Sequence, residues 1–201
     1  MWDKLILWLT NNYIELFGFL TGGLYIILSI MQSVWLWPVG LVTSATYIVV
    51  FFQSTLYADM ALQVYYLLVS IYGWYFWVFG KKKNQELGDV KISKLNPIYW
   101  VWAVIVTLVL TVALYFPMKK YTNASNPLWD GFVTAGSVVA TWMLARKILE
   151  QWLIWIIVDG ASIALFFIKG LYMTAILFIA YTILAFVGYL KWVNDFKKQE
   201  A

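Results

Sequence analysis

The chain has 201 residues, of which 63% are hydrophobic and only 12% charged, with a mean hydropathy of +0.77 and a net charge of +4. That balance excludes an ordinary soluble domain and marks an integral membrane protein. Cysteine and histidine are both absent, which removes disulfides, thiolate chemistry and the commonest general base and metal ligand.

Residues 1–12, MWDKLILWLTNN, are too polar for a signal peptide and lack its small-residue cleavage site, so the segment is expected to be retained. Trp2, Leu5, Ile6, Trp8 and Leu9 separate from Asp3, Lys4 and the Asn pair, the pattern of a short helix lying at the membrane interface. Seven apolar runs follow, at about 13–31, 35–52, 58–79, 98–116, 130–149, 151–168 and 171–190, each near the ~20 residues that cross a bilayer. The predicted fold is therefore all-α with seven transmembrane helices. Short links join the first three. KKKNQELGDVKISKLN is the one long charged linker, and MKKYTNASNPLWD reads as a loop before the fifth run. Residues 193–201 form a charged tail.

Most Lys and Arg flank the apolar runs, so the positive charge speaks for topology, not for nucleic acid. With the long linker in the cytoplasm, ten basic residues lie inside and four outside. This predicts an external amino terminus and a cytoplasmic carboxyl terminus.

A shift of 115 residues superposes the first three runs on the last three without a gap. It pairs Phe17 with Phe132, Trp37 with Trp152, Phe51 with Phe166, Phe52 with Phe167, Leu56 with Leu171, Tyr57 with Tyr172, Tyr66 with Tyr181, Gly73 with Gly188 and Trp77 with Trp192; Glu15 falls on Asp130. Shared spacing of Trp, Gly and Leu-Tyr indicates a duplicated three-helix unit. Residues 13–79 and 130–192 would be the two units, with 80–129 supplying the linker, an inversion helix and the outer loop. An odd number of spans needs that extra helix if the second unit is to enter from the same side. The expected plan is a parallel 3+1+3 repeat with its axis along the membrane normal.

The sixth run, QWLIWIIVDGASIALFFI, buries one carboxylate, Asp159, in mid-helix. A charge there costs at least ~2.5–3.5 kcal/mol on insertion scales and normally faces a cavity or pathway. Helical spacing puts Trp152, Trp155, Asp159, Ser162 and Phe166 along one face. Indoles and a carboxylate suit a flat, positively charged organic ligand. In the third run Gln63, Tyr66, Ser70, Gly73 and Trp77 follow the same spacing, and Thr43, Ser44 and Tyr47 offer a facing wall from the second. Asp159 falls on Ser44 under the 115-residue shift, so the one mid-helix charge breaks the repeat. Asp59 and Asp130 stand at helix starts, where negative charge complements the dipole.

With these residues in view, the chain resembles the PnuC family of bacterial vitamin transporters over nearly its whole length. The resemblance rests on VGLVTSATYIVVFFQSTLYADMALQVYYLLVSIYGWYFW and on ARKILEQWLIWIIVD. It implies a SWEET-like fold, uptake by facilitated diffusion across the inner membrane, a homotrimer, and trapping of the vitamin by a cytoplasmic kinase. Nicotinamide riboside members of the family carry Trp-x-x-Trp-x-x-x-Asn in the sixth span; Trp152 and Trp155 match it, while the Asn position is Asp159. Nicotinamide riboside is the lead substrate and thiamine the alternative, both carrying a cationic ring.

A SWEET-type sugar carrier would share the architecture but has no need of a carboxylate beside indoles. A retinal receptor needs a Schiff-base Lys in mid-helix of its last span, whereas Lys191 follows the apolar run. An intramembrane aspartyl protease needs two facing carboxylates, and only Asp159 lies mid-span. No GxxxxGK[ST] loop occurs. The expectation is a carrier, not an enzyme, with no metal or cofactor, which engages a cationic vitamin through Trp152, Trp155 and Asp159 and its polar remainder through Gln63, Tyr66, Ser44, Tyr47 and Ser162.

Overall fold

The computed structural model describes residues 13–55, 57–80, 90–122 and 126–200. The expected interfacial helix at 1–12 and the linker residues 81–89 lie outside them, as does the side chain of Glu15. The helices are α1 (Tyr13–Ile30), α2 (Leu36–Gln53), α3 (Tyr57–Phe79), α4 (Pro97–Tyr121), α5 (Pro127–Ala145), α6 (Gln151–Ile168) and α7 (Tyr172–Glu200). Six of them, α2 to α7, are long and apolar enough to cross a membrane, and α1 contributes the shorter apolar stretch Leu16–Ile30. Among the described residues no strand forms; the sole bridge pairs Ser93 with Ile148.

Local chemistry explains where the helices depart from the apolar runs. Pro97 and Pro127 each occupy a first helical position, where a missing N–H costs nothing. Asn96 Oδ1 accepts from Ile98 N at 3.2 Å. α4 runs through Pro117 and one turn into the segment expected as a loop, closing with Thr122 N donating to Met118 O at 3.2 Å. α5 starts and stops about one turn early, because 146–150 form a turn in which Lys147 takes a φ of 51°. Ser93 is held there from both sides, its N donating to Lys147 O at 3.0 Å and its carbonyl accepting from Leu149 N at 2.9 Å. α7 continues past the apolar run to Glu200, held by a Lys191–Asp195 ion pair at 3.1 Å and by Gln32 Nε2 donating to Asp195 Oδ2 at 2.9 Å.

Within residues 13–79, α2 packs on α1 and α3; within 127–200, α6 packs on α5 and α7. Two cross-contacts join these groups, α3 with α5 and α1 with α7. α4 packs along α5 and turns most of its apolar side chains outward. A buried layer lies across the end that carries the α1–α2 and α5–α6 links. Trp37 meets Trp77 edge-on at 5.4 Å and 89°, and Trp152 meets Trp192 at 5.8 Å and 86°. Any Cβ at Gly73 would strike the Trp37 ring, and any at Gly188 the Trp152 ring, so only glycine lets each indole pass. Trp77 Nε1 donates to Ala145 O and Trp192 Nε1 to Ser29 O, both at 3.1 Å. Left-handed backbone recurs at the same interval: Gln32 (φ 55°) stands 115 residues before Lys147 (φ 51°), and Thr55 (φ 58°) 115 before Gly170 (φ 72°).

Candidate functional site

A cavity of about 580 Å³ opens among six helices, all but α4. α6 supplies Trp152, Trp155, Val158 and Asp159 to its wall. Asp159 is only 5% exposed, and among the described residues its carboxylate has neither a hydrogen-bond donor nor a cation. A carboxylate at a cavity wall within a membrane span is costly unless a ligand, water or a proton compensates it. Trp152 is pinned by its packing beneath Gly188 and against Trp192, so the wall beside Asp159 is rigid.

α3 contributes Gln63, Tyr66 and Ser70, and α2 contributes Gly40, Thr43, Ser44 and Tyr47. Tyr47 lies over Gly18 of α1, and its hydroxyl donates to Ile14 O at 3.4 Å. Seven of the eight predicted site residues therefore meet at one cavity. Ser162 does not. It is 1% exposed, and its hydroxyl donates to Val158 O at 2.8 Å within its own helix. The cavity follows the Trp152–Trp155–Val158–Asp159 stripe and stops short of the next turn.

α1, α5 and α7 supply wall residues outside the predicted set, notably Tyr25, Ser29, Ser137, Thr141, Phe178 and Tyr181. The 115-residue shift held a signal for some of them, since it carries Gln63 to Phe178, Tyr66 to Tyr181 and Ser70 to Ala185, all three at the cavity. Thr21, Thr43, Ser137 and Thr141 each donate to the carbonyl four residues earlier, at 2.8 Å. Their hydroxyls then offer the cavity acceptor lone pairs. No Lys or Arg is among its lining residues. The interior thus combines one carboxylate, hydroxyl acceptors and aromatic rings, a surface matched to a cationic, donor-bearing aromatic molecule.

Sequence comparison identifies the family. The family model described as "Nicotinamide mononucleotide transporter" matches residues 12–194. The chain belongs to that family. It is 27% identical over 212 residues to the nicotinamide riboside transporter PnuC of Escherichia coli (strain K12), covering 94% of this chain and 88% of that protein. It is also 26% identical over 200 residues to the riboflavin/roseoflavin transporter RibM of Streptomyces davaonensis, covering 96% of this chain and 87% of that one. A crystal structure of the vitamin B3 transporter PnuC superposes with a TM-score of 0.71 at 21% identity, over 98% of this chain and 87% of the other, and establishes the likeness of fold. This is a family of multi-pass membrane transporters, not of enzymes.

Proposed function

We propose that this chain is an alternating-access carrier that takes up an unphosphorylated cationic vitamin across the bacterial inner membrane by facilitated diffusion, with nicotinamide riboside as lead substrate. The observation that carries the proposal is Asp159 at the cavity wall beside Trp155 and Trp152, its carboxylate without a hydrogen bond or ion pair among the described residues. The carboxylate answers the ring's charge, and the indole faces add cation–π attraction of about 0.5–2 kcal/mol. Gln63, Tyr66, Ser44 and Tyr47 hydrogen-bond the polar remainder. A phosphorylated ligand is disfavoured, because its charge would meet Asp159 in a low-dielectric cavity with no cation among the lining residues.

Thiamine is the second reading, and Asp159 itself favours it. An ionised Asp only accepts hydrogen bonds, so it cannot donate to ribose or carboxamide oxygens as the Asn of the family motif can. A carboxylate does serve a thiazolium.

The same reading includes a parallel 3+1+3 repeat of SWEET-like design. The recurrence of Trp pairs, glycine contacts and left-handed residues at one interval supports it. α4 is then the inversion helix. The distribution of Lys and Arg supports an external amino terminus. A homotrimer and a cytoplasmic kinase that traps the vitamin complete the proposal.

Titration calorimetry of the purified protein with nicotinamide riboside, thiamine and the neutral ring of riboflavin tests the substrate class. Asp159→Asn is measured alongside. Binding of either cation, lost or weakened in the variant, is the expected result. Binding of riboflavin alone, or equal affinity with and without the carboxylate, would sink the cationic-vitamin reading.

A further inference from the structure

The layer that closes the cavity at the link end is built from matched positions, with one mismatch. Leu36 opens α2 and Gln151 opens α6, 115 residues apart, and both are fully buried. Leu36 adds to the apolar layer, whereas Gln151 puts an amide at the corresponding place. Neither Nε2 nor Oε1 of Gln151 has a hydrogen-bond partner among the described residues. Indoles of the layer share the problem: Nε1 of Trp37 and of Trp152 are also buried and unpartnered among the described residues, while those of Trp77 and Trp192 are satisfied. An amide stripped of hydration with no partner in return is a standing cost, and a two-hydrogen donor with a carbonyl suffers it twice.

On the alternating-access reading, opening of the layer at this end admits water to the amide and removes that cost. We propose that Gln151 is a positioning residue of the transport cycle: it holds the closed layer close enough in free energy to the open one for the carrier to turn over. The role rests on the alternating-access reading above. Packing does not demand the amide, because the matching position accommodates the apolar Leu36. Catalytic contact with the vitamin is no part of the role, since Gln151 lies outside the cavity wall.

The chain contains no cysteine, so one introduced thiol reports the opening directly. Ala145→Cys is a small change at a fully buried position of the layer that is absent from the cavity wall. In proteoliposomes, its reaction with a membrane-impermeant maleimide added at the link side measures how often that end opens. In this background Gln151→Leu is expected to slow labelling at least about tenfold, the effect of one or more unsatisfied buried groups. Maximal uptake of whichever vitamin binds falls by a similar factor, while its calorimetric affinity changes by less than about twofold. Gln151→Asn keeps both polar atoms and labels near the parental rate; Leu36→Gln adds a second buried amide and labels faster.

Parental labelling in Gln151→Leu, or equal slowing in Gln151→Leu and Gln151→Asn, overturns the role. Should Gln151→Leu fail to fold, Leu36→Gln decides alone, and labelling no faster than the parent counts against the inference. Labelling needs no substrate. A failure of nicotinamide riboside and thiamine to bind therefore bears on the proposed cargo and leaves this outcome readable.

Discussion

α2 and α6 occupy matching places in their helix groups, and they agree and differ in separate regions. At the link end Trp37 and Trp152 have the same environment: each is overlain by a glycine and meets a second indole edge-on. Along the cavity the two helices diverge. Ser44 stands where α6 has Asp159, Gly40 where it has Trp155, and Tyr47 where it has Ser162. A Cβ at Gly40 would come 2.8 Å from Ser70 Oγ and 3.0 Å from the Tyr25 ring, so a bulky residue such as Trp has no room there. Leu36 and Gln151 apart, the matched residues lie where helices pack and the unmatched ones line the cavity. Asymmetry concentrated at the cavity is what a chemically asymmetric cargo requires of two similar walls.

The strongest way to break this comparison is to move its one charge. Asp159→Ser gives both walls the same residue. The cationic vitamin should then lose about 2–5 kcal/mol of binding, the cost of removing one partner of a buried charged contact, or roughly thirtyfold or more in Kd by calorimetry. Adding Ser44→Asp to that variant restores a carboxylate on the opposite wall. If the charge alone sets recognition, the double variant recovers affinity to within about tenfold of the parent. No recovery means that Trp155, which has Gly40 at the position 115 residues earlier, fixes which way the ring faces.

This division also explains how much was legible beforehand. Apolar runs marked the helices because a bilayer demands them, and the misplaced boundaries involve polar or proline-bearing ends: Pro127, the turn at Lys147, the Lys191–Asp195 pair and the turn of α4 beyond Pro117. Asp159 and the indoles stood out because charge and large rings are rare or conspicuous in an apolar helix. Ser137 and Thr141 did not, because a hydroxyl that donates to its own helix is cheap anywhere in a membrane span. Ser162 was drawn into the site by helical spacing, which selects a face but not the point at which the cavity ends.

Packing should be less asymmetric than binding. Gly73→Ala and Gly188→Ala each drive a methyl group into an indole ring. Overpacking of this kind costs about 1–3 kcal/mol, so both should lower the melting temperature in detergent, and by similar amounts. A large loss for one and none for the other would mean that the two Trp layers only look equivalent. A rise in Kd without a loss of stability would instead tie Gly188 to the cavity through Trp152.

The smallest effect is expected at the other end of the bundle. There Lys169 Nζ lies 3.1 Å from Asp130 Oδ1 and 3.5 Å from Oδ2, joining the end of α6 to the start of α5. The side chains are 26% and 19% exposed, so water screens the pair, and exposed pairs are worth about 0–1 kcal/mol. Asp130 also stands in the first turn of α5, where a carboxylate favours the helix whether or not Lys169 is present. Lys169→Ala should therefore cost less stability than Asp130→Ala, and the double variant little more than Asp130→Ala. Neither residue reaches the cavity wall, so vitamin binding should stay within about twofold in all three. A tenfold change in Kd from Lys169→Ala would make this end part of ligand recognition, and the asymmetry that bears on binding would then extend beyond the cavity wall.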